Sequence, residues 1–106
     1  MNEVEIQRSR RYQEYLIESL KNPERAAGYI AVMLELDEEG YDSDILRSAL
    51  AEVVEARKQL GDFSEVGQQC FQKLDNMLAE TGGKEILALI EFLDALGYRI
   101  GIVGKE

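Results

Sequence analysis

Apolar residues recur along this chain at the three- and four-residue spacing that is typical of amphipathic helices. The first such stripe runs through Tyr12, Leu16 and Leu20. Ser9 is a suitable N-cap, so the residues before it are expected to be frayed. The pattern therefore predicts a first helix that follows Ser9 and reaches Leu20.

The second predicted helix has the clearest start signal in the sequence, at Asn22 and Pro23. Asn accepts hydrogen bonds from free backbone amides, and Pro at the first helical position gives up no hydrogen bond. The helix is expected to end near Gly40 with a frayed last turn, because acidic residues are unfavourable beside the negative end of a helix dipole. Its inward residues are Ala26, Tyr29, Ile30, Met33 and Leu34.

A third helix is predicted from about Asp44 to Leu60. Asp42 or Ser43 would cap its start, and Gly61 would end it in the left-handed conformation. The residues that share one side of this helix are Leu46, Ala49, Leu50, Val53, Arg57 and Leu60.

The fourth helix is predicted to open with a capping box formed by Asp62 and Glu65 and to continue unbroken to Gly82 and Gly83. Cys70 falls on its apolar stripe and is expected to be a small buried hydrophobic residue rather than a reactive thiol. The predicted inward residues are Phe63, Val66, Cys70, Leu74, Met77 and Leu78.

A fifth helix is predicted from about Lys84 to Leu96, with Gly97 as its stop. It is apolar nearly all round, and such a helix is seldom left half exposed. Four of its residues suit the core, namely Ile86, Leu89, Ile90 and Leu93. A second apolar strip on a different side consists of Ala88, Phe92 and Ala95.

The last residues alternate between apolar and polar or small side chains, which predicts a short C-terminal strand over 98–103. A lone strand has unpaired backbone edges, and the same strand of a second subunit would pair with them in a homodimer. The alternative is that the strand folds back on its own helices. The predicted dimer interface consists of Phe92, Tyr98, Ile100 and Ile102.

Composition agrees with one all-α domain over residues 1–106, a bundle of five helices with one C-terminal strand. The net charge of −9 repels nucleic-acid phosphates. No apolar stretch reaches the roughly 20 residues of a membrane span, and no secretory segment opens the chain. The single cysteine has no disulfide partner, so we expect a cytoplasmic protein that has no contact with a membrane.

Candidate catalytic chemistry is narrowed by the absence of histidine, which excludes His-based triads and His-ligated zinc. Two glutamate pairs, Glu35 with Glu38 and Glu52 with Glu55, would suit magnesium in an all-α nucleotide pyrophosphohydrolase. The helical period turns Glu55 toward water, so this enzyme is the alternative to a non-enzymatic protein without metal or cofactor.

An acidic stretch around the end of the second helix offers a complementary field for a basic partner protein. It does not match a calcium loop, because Asp42 stands where the sharp turn needs glycine and Ser48 where the bidentate acid belongs. The alternative is a solvated surface without a partner. The candidate partner-binding residues are Glu35, Asp37, Glu38, Glu39, Asp42 and Asp44.

Three segments resemble the helix-turn-helix antidote proteins of bacterial addiction modules, the HigA-like antitoxins and transcriptional regulators that pair with small ribonuclease toxins. Residues 15–29, YLIESLKNPERAAGY, are similar to the family's opening YLxxxLKDPEEAAAYL, and 49–57, ALAEVVEAR, to its ALRDVAEARG. Residues 77–97 resemble the segment that leads to the family's C-terminal strand. The resemblance implies a non-enzymatic antidote that binds a cognate toxin and dimerises.

The chain departs from that family where DNA binding is expected. Residues 63–74 are about three residues too short for the glycine-centred turn that precedes the recognition helix, which implies a degenerate helix-turn-helix. Asp75 falls on a base-contacting position and would repel phosphate, so DNA binding is expected to be weak or lost. The candidate DNA-binding residues are Gln68, Gln69, Gln72, Lys73 and Asn76.

Overall fold

The computed structural model describes residues 3–36 and 40–105, and the side chains of 10–36 and 40–105. These residues form five helices, so the all-α prediction is confirmed. No helix in this part of the chain is both long enough and apolar enough to cross a membrane. The helices are α1 (Glu3–Leu20), α2 (Pro23–Met33), α3 (Ser43–Leu60), α4 (Glu65–Thr81) and α5 (Lys84–Ala95).

The core is built around α3, which packs against α1, α2 and α4. Two small residues on its inner side, Ala49 and Ala56, are almost completely buried, and their size lets neighbouring helices approach closely. The buried apolar residues of the described chain are Leu20, Leu46, Ala49, Ala56, Leu78 and Ile90. The last two extend the core from α4 to α5.

The start signals of α2 and α3 act as predicted. The side chain of Asn22 accepts hydrogen bonds of 2.9 and 3.1 Å from two amides of the first turn of α2. Asp42, one of the two candidates for α3, accepts bonds of 2.8 and 3.2 Å in the same way. Gly61 ends α3 in the left-handed conformation with a φ of 74°. Local capping chemistry therefore decides where these helices begin and end.

Two predicted boundaries are wrong. Ser9 does not cap α1, because the helix already begins at Glu3 and passes through it. The end of α2 is at Met33 rather than near Gly40, and residues 34–36 lie outside any helix.

The predicted capping box at the start of α4 is also wrong. Ser64 is the N-cap, and its hydroxyl accepts a 3.0 Å hydrogen bond from the amide of Gly67. Asp62 instead pairs with Arg57, with 3.2 Å between Oδ1 and Nε. The arginine in the last turn of α3 thus holds the carboxylate that the sequence pattern assigned to a cap.

The predicted C-terminal strand is absent from the described chain. Residues 98–105 form no regular secondary structure, and the backbone of 99–105 makes no hydrogen bond within that chain. Ile100 lines a cavity beside α5, while Ile102 lies in a groove beside α2 and α3. The segment is held by side-chain packing, because no second extended segment of the described chain lies beside it to complete a ladder.

The chain is more open than a compact domain of its length. Its radius of gyration is 15.2 Å, against about 13 Å for a compact domain of 100 residues. Its accessible surface is 8112 Å², whereas a compact monomer of 12.0 kDa would expose about 6,000 Å². Part of this additional exposed surface is apolar and lies on the outer faces of the helices.

Candidate functional site

The inner face of α4 agrees with the prediction only in part, at Leu74 and Leu78. Phe71, Leu74 and Leu78 face inward, whereas Val66 is 69% exposed and Cys70 is exposed as well. The prediction that Cys70 is buried is therefore wrong, and so is the inward placement of Val66 and Met77. A second apolar strip of α4, containing Val66, Cys70 and Met77, faces outward.

An ion pair joins the facing sides of α3 and α4. Arg47 Nε lies 2.9 Å from Asp75 Oδ1, and Arg47 Nη2 lies 3.2 Å from Asp75 Oδ2. The two hydrogen bonds lower the pKa of Asp75 and raise the pKa of Arg47. Such a bidentate contact fixes the facing sides of both helices. Sequence reasoning missed it, because nothing local to either residue points to a partner 28 positions away.

The candidate DNA-binding residues lie on α4, which is one continuous helix as the periodicity predicted. Gln69, Gln72, Lys73 and Asn76 are all exposed, and the helical period places them on one side. Gln72 donates a 3.0 Å hydrogen bond to the side chain of Asn76. Gln68 does not join this face, since it is half-buried and its Oε1 is buried without a hydrogen-bond partner in the described chain. Four of the five residues are thus brought together.

The acidic stretch is described in part. Glu35 Oε1 is 3.9 Å from Arg99 Nη1, and Asp44 Oδ1 is 3.8 Å from Arg47 Nη1. The side chain of Asp44 remains 87% exposed, and Asp42 is exposed while it caps α3. The described carboxylates therefore lie at the surface beside the α2–α3 connection. Three members of the set lie outside the described residues: Asp37, Glu38 and Glu39.

The glutamates of the magnesium alternative are distributed between different grooves. Glu52 and Glu55 line a groove of about 290 Å³ between α1 and α3, whereas Glu35 lines a cavity beside α5. Glu38 lies outside the described residues. Among the described side chains, no group of three or more His, Cys, Asp or Glu is placed to hold a metal ion.

One of these glutamates has a specific partner. The hydroxyl of Tyr29 on α2 donates a 2.6 Å hydrogen bond to Glu52 Oε2 on α3. Burial and the adjacent carboxylate raise the pKa of Tyr29 well above its ordinary value. This contact ties α2 to α3 and occupies one oxygen of Glu52.

An apolar groove of about 470 Å³ runs between α2, α3 and the C-terminal segment. The ion pair between Arg57 and Asp62 lies at this groove. Its apolar lining consists of Pro23, Ala26, Ala27, Ile30, Val53, Val54, Phe63, Ile102 and Val103. The predicted interface residue Ile102 is therefore engaged with its own chain, and sequence reasoning missed this groove.

The outward side of α5 carries a stripe of large apolar residues. Leu89 was predicted in the core, but it is 52% exposed, so that prediction is wrong. Phe92 is 62% exposed, and Leu96 and Tyr98 have similar exposure. We call Leu89, Phe92, Leu96 and Tyr98 the α5 stripe. It contains two of the four predicted interface residues, since Ile100 and Ile102 pack against their own chain.

Comparison with known proteins gives no match that bears on this geometry. No protein-family model, no curated protein and no solved structure matches the chain. The charges and apolar faces of the molecule are therefore the structural basis for any proposal about its function.

Proposed function

We propose that this chain is a non-enzymatic, cytoplasmic binding protein of the antitoxin kind, and that it binds a basic partner protein such as a cognate toxin. The proposal rests on one observation above all. The described carboxylates beside the α2–α3 connection stay at the surface, and their nearest basic groups are 3.8 and 3.9 Å away. Ion pairs this long and exposed contribute little, so these carboxylates are available to a partner.

The charge of the whole chain supports the same proposal. A net charge of −9 attracts a basic protein over the distance of a Debye length and raises its association rate. Asp42 and Asp44 also lie at the start of α3, where acidic side chains suit the positive end of the helix dipole. Both side chains are exposed to solvent.

Weak or lost DNA binding is part of the proposal. The exposed face shared by Gln69, Gln72, Lys73 and Asn76 has a single basic residue among these four. Phosphate contacts supply most of the affinity of DNA-binding proteins, and one lysine on an acidic protein supplies few. The helix-turn-helix and the regulatory role remain predictions from the sequence resemblance.

Absence of enzymatic activity is also part of the proposal. Glu52 is hydrogen-bonded to Tyr29, and Glu35 lies in a different groove, so the magnesium alternative has no assembled set of ligands among the described residues. Nucleoside triphosphates incubated with the chain and magnesium are expected to remain intact. Hydrolysis that is lost in Glu52→Gln would favour the pyrophosphohydrolase instead.

The predicted homodimer belongs to the same proposal, because a two-fold pair would present the acidic surface to partners twice.

Binding is tested with the purified protein encoded by the reading frame next to this chain's gene. The test variant combines Glu35→Gln, Asp42→Asn and Asp44→Asn, and the asparagine introduced at position 42 keeps the helix cap. The control variant combines Glu65→Gln, Glu80→Gln and Glu91→Gln, which removes the same charge from exposed positions elsewhere.

The test variant is expected to bind at least tenfold more weakly than the control, with a smaller dependence of affinity on salt. Equal weakening in both variants would mean that net charge alone acts, and the proposed surface would be wrong. No binding by the unchanged protein would overturn the proposed partner.

A further inference from the structure

We infer that a second copy of this chain docks on the α5 stripe, so that two α5 helices pack antiparallel across a two-fold axis near Phe92. This inference rests on the homodimer of the proposed function and identifies its surface. The stripe is exposed, apolar and formed by one regular helix with the residues just after it.

The spacing of the stripe suits helix pairing. Leu89, Phe92 and Leu96 are separated by three and then four residues, which is the seam of paired helices. The same helix faces its own core through Ile86, Ile90 and Leu93. Since α5 has one apolar side toward its own chain and another toward solvent, its outer side lacks a partner within the described chain.

The stripe supplies more than half of the area that a stable dimer interface needs. The four stripe residues are between 52% and 66% exposed, which leaves roughly 450 Å² of large side chains uncovered. A standard interface buries about 800 Å² on each partner, so residues beside the stripe would have to supply the rest. The chain as a whole exposes about 2,000 Å² more than a compact monomer of its mass.

Two other surfaces are less suitable. The outward strip of α4 contains Val66 and Met77, but the helical period places Lys73 between them, and its charge would be buried in a symmetric contact. The C-terminal segment has free backbone groups, but Ile100 and Ile102 already pack against their own chain. The α5 stripe has no charged residue between its apolar members on the exposed side.

Charges at the ends of α5 favour the antiparallel arrangement. A two-fold axis near Phe92 brings the first turn of one α5, which carries the exposed Glu85, beside the C-terminal end of its partner helix. Arg99 follows that end, and its side chain is 84% exposed. Glu85 would therefore face Arg99 of the partner subunit, an opposite charge.

Sedimentation of the full chain over a range of concentrations tests the inference. The unchanged protein is expected to be a dimer at micromolar concentration, and Phe92→Asp to raise the dimer Kd by about 100-fold. Val66→Asp on α4 and Val103→Asp in the C-terminal segment place the same charge at other exposed apolar positions and should leave Kd unchanged. Circular dichroism confirms that each variant is folded.

Charge reversal provides a test that does not depend on Phe92. Glu85→Lys should raise Kd, and adding Arg99→Glu should restore it. A monomer at high micromolar concentration, or a dimer disrupted by Val66→Asp or Val103→Asp but not by Phe92→Asp, would overturn the inference. The assay contains no basic partner, so its result is independent of whether the proposed partner binding fails.

Discussion

The junction between α4 and α5 allows a sharp test of the packing, because two adjacent glycines differ in their surroundings. Gly82 and Gly83 both have positive φ values, 69° and 71°. A Cβ atom at Gly82 would meet nothing within 4 Å. A Cβ atom at Gly83 would lie 2.5 Å from the hydroxyl of Tyr41 and 3.1 Å from Leu78 Cδ2.

The expected free energies follow from this difference. Alanine in the left-handed conformation costs about 1 to 2 kcal/mol at either position, so Gly82→Ala should destabilise the protein by about that amount. Gly83→Ala adds an overlap with buried atoms, and such overpacking costs about 1 to 3 kcal/mol more. The loss of glycine entropy in the unfolded chain is the same for both variants and cancels in the comparison.

A third substitution isolates the overlap. The hydroxyl of Tyr41 is buried without a hydrogen-bond partner in the described chain, so Tyr41→Phe should be neutral or slightly stabilising. In the double variant Gly83→Ala with Tyr41→Phe, the atom nearest to the new Cβ is gone. The double-mutant cycle should therefore show a coupling of about 1 to 2 kcal/mol.

Denaturant unfolding followed by circular dichroism gives all four free energies of unfolding. Equal losses in Gly82→Ala and Gly83→Ala would refute the packing of Tyr41 against this junction. A coupling near zero with Tyr41→Phe would do so as well, even if Gly83→Ala is strongly destabilising. Gly82→Ala is the matched control, since it shares the backbone strain but lacks the contact.

Two further predictions use the same assay at varied pH. Tyr29→Phe should cost about 1 kcal/mol; because the pKa of Tyr29 is raised above its ordinary 10.0, this contribution is present below pH 10 and is lost as pH rises through the folded-state pKa. A difference that persists above that pKa would contradict it. Asp75→Asn should destabilise the protein at neutral pH, and the loss should disappear as pH falls through the lowered folded-state pKa of Asp75, whereas Asp44→Asn should have little effect. Equal effects of the two substitutions would mean that Arg47 does not hold α4 through Asp75.

Helix number and most helix boundaries follow from local chemistry and are predictable from the sequence. Asn22, Asp42 and Gly61 act within a few residues of themselves, and the structure has them in their predicted roles. The predicted capping box of Asp62 and Glu65 is wrong, and the reason is again a contact between residues close in sequence. A second cap, Ser64, lies in the same short connection, and Asp62 has a stronger partner in Arg57.

The facing of α4 was not predictable from periodicity, because this helix has apolar residues on two sides. The predicted inward set joined Val66, Cys70 and Met77 to Leu74 and Leu78, whereas Phe71 packs inward with Leu74 and Leu78. The ion pair between α3 and α4 involves an aspartate that a pattern of apolar positions treats as outward.

In the C-terminal segment, the sequence pattern predicted a strand that the described structure does not contain. Its alternating pattern describes which side chains share a face, but a strand exists only where a second backbone lies alongside. In this chain Ile100 lines a cavity beside α5 and Ile102 lines a groove beside α2 and α3 instead. The alternative prediction, that the segment folds back on its own helices, therefore agrees better with the structure than a strand that pairs with a second subunit.

These differences have a common consequence for function. The chain has more apolar helix surface than its small core can cover, and the exposed apolar residues lie on the outward sides of all five helices, those of α4 and α5 among them. The described carboxylates are dispersed over several surfaces. Large exposed apolar strips are typical of surfaces that bind other proteins. The α5 stripe and the acidic α2–α3 connection are therefore the two surfaces at which substitutions should change function without unfolding the chain.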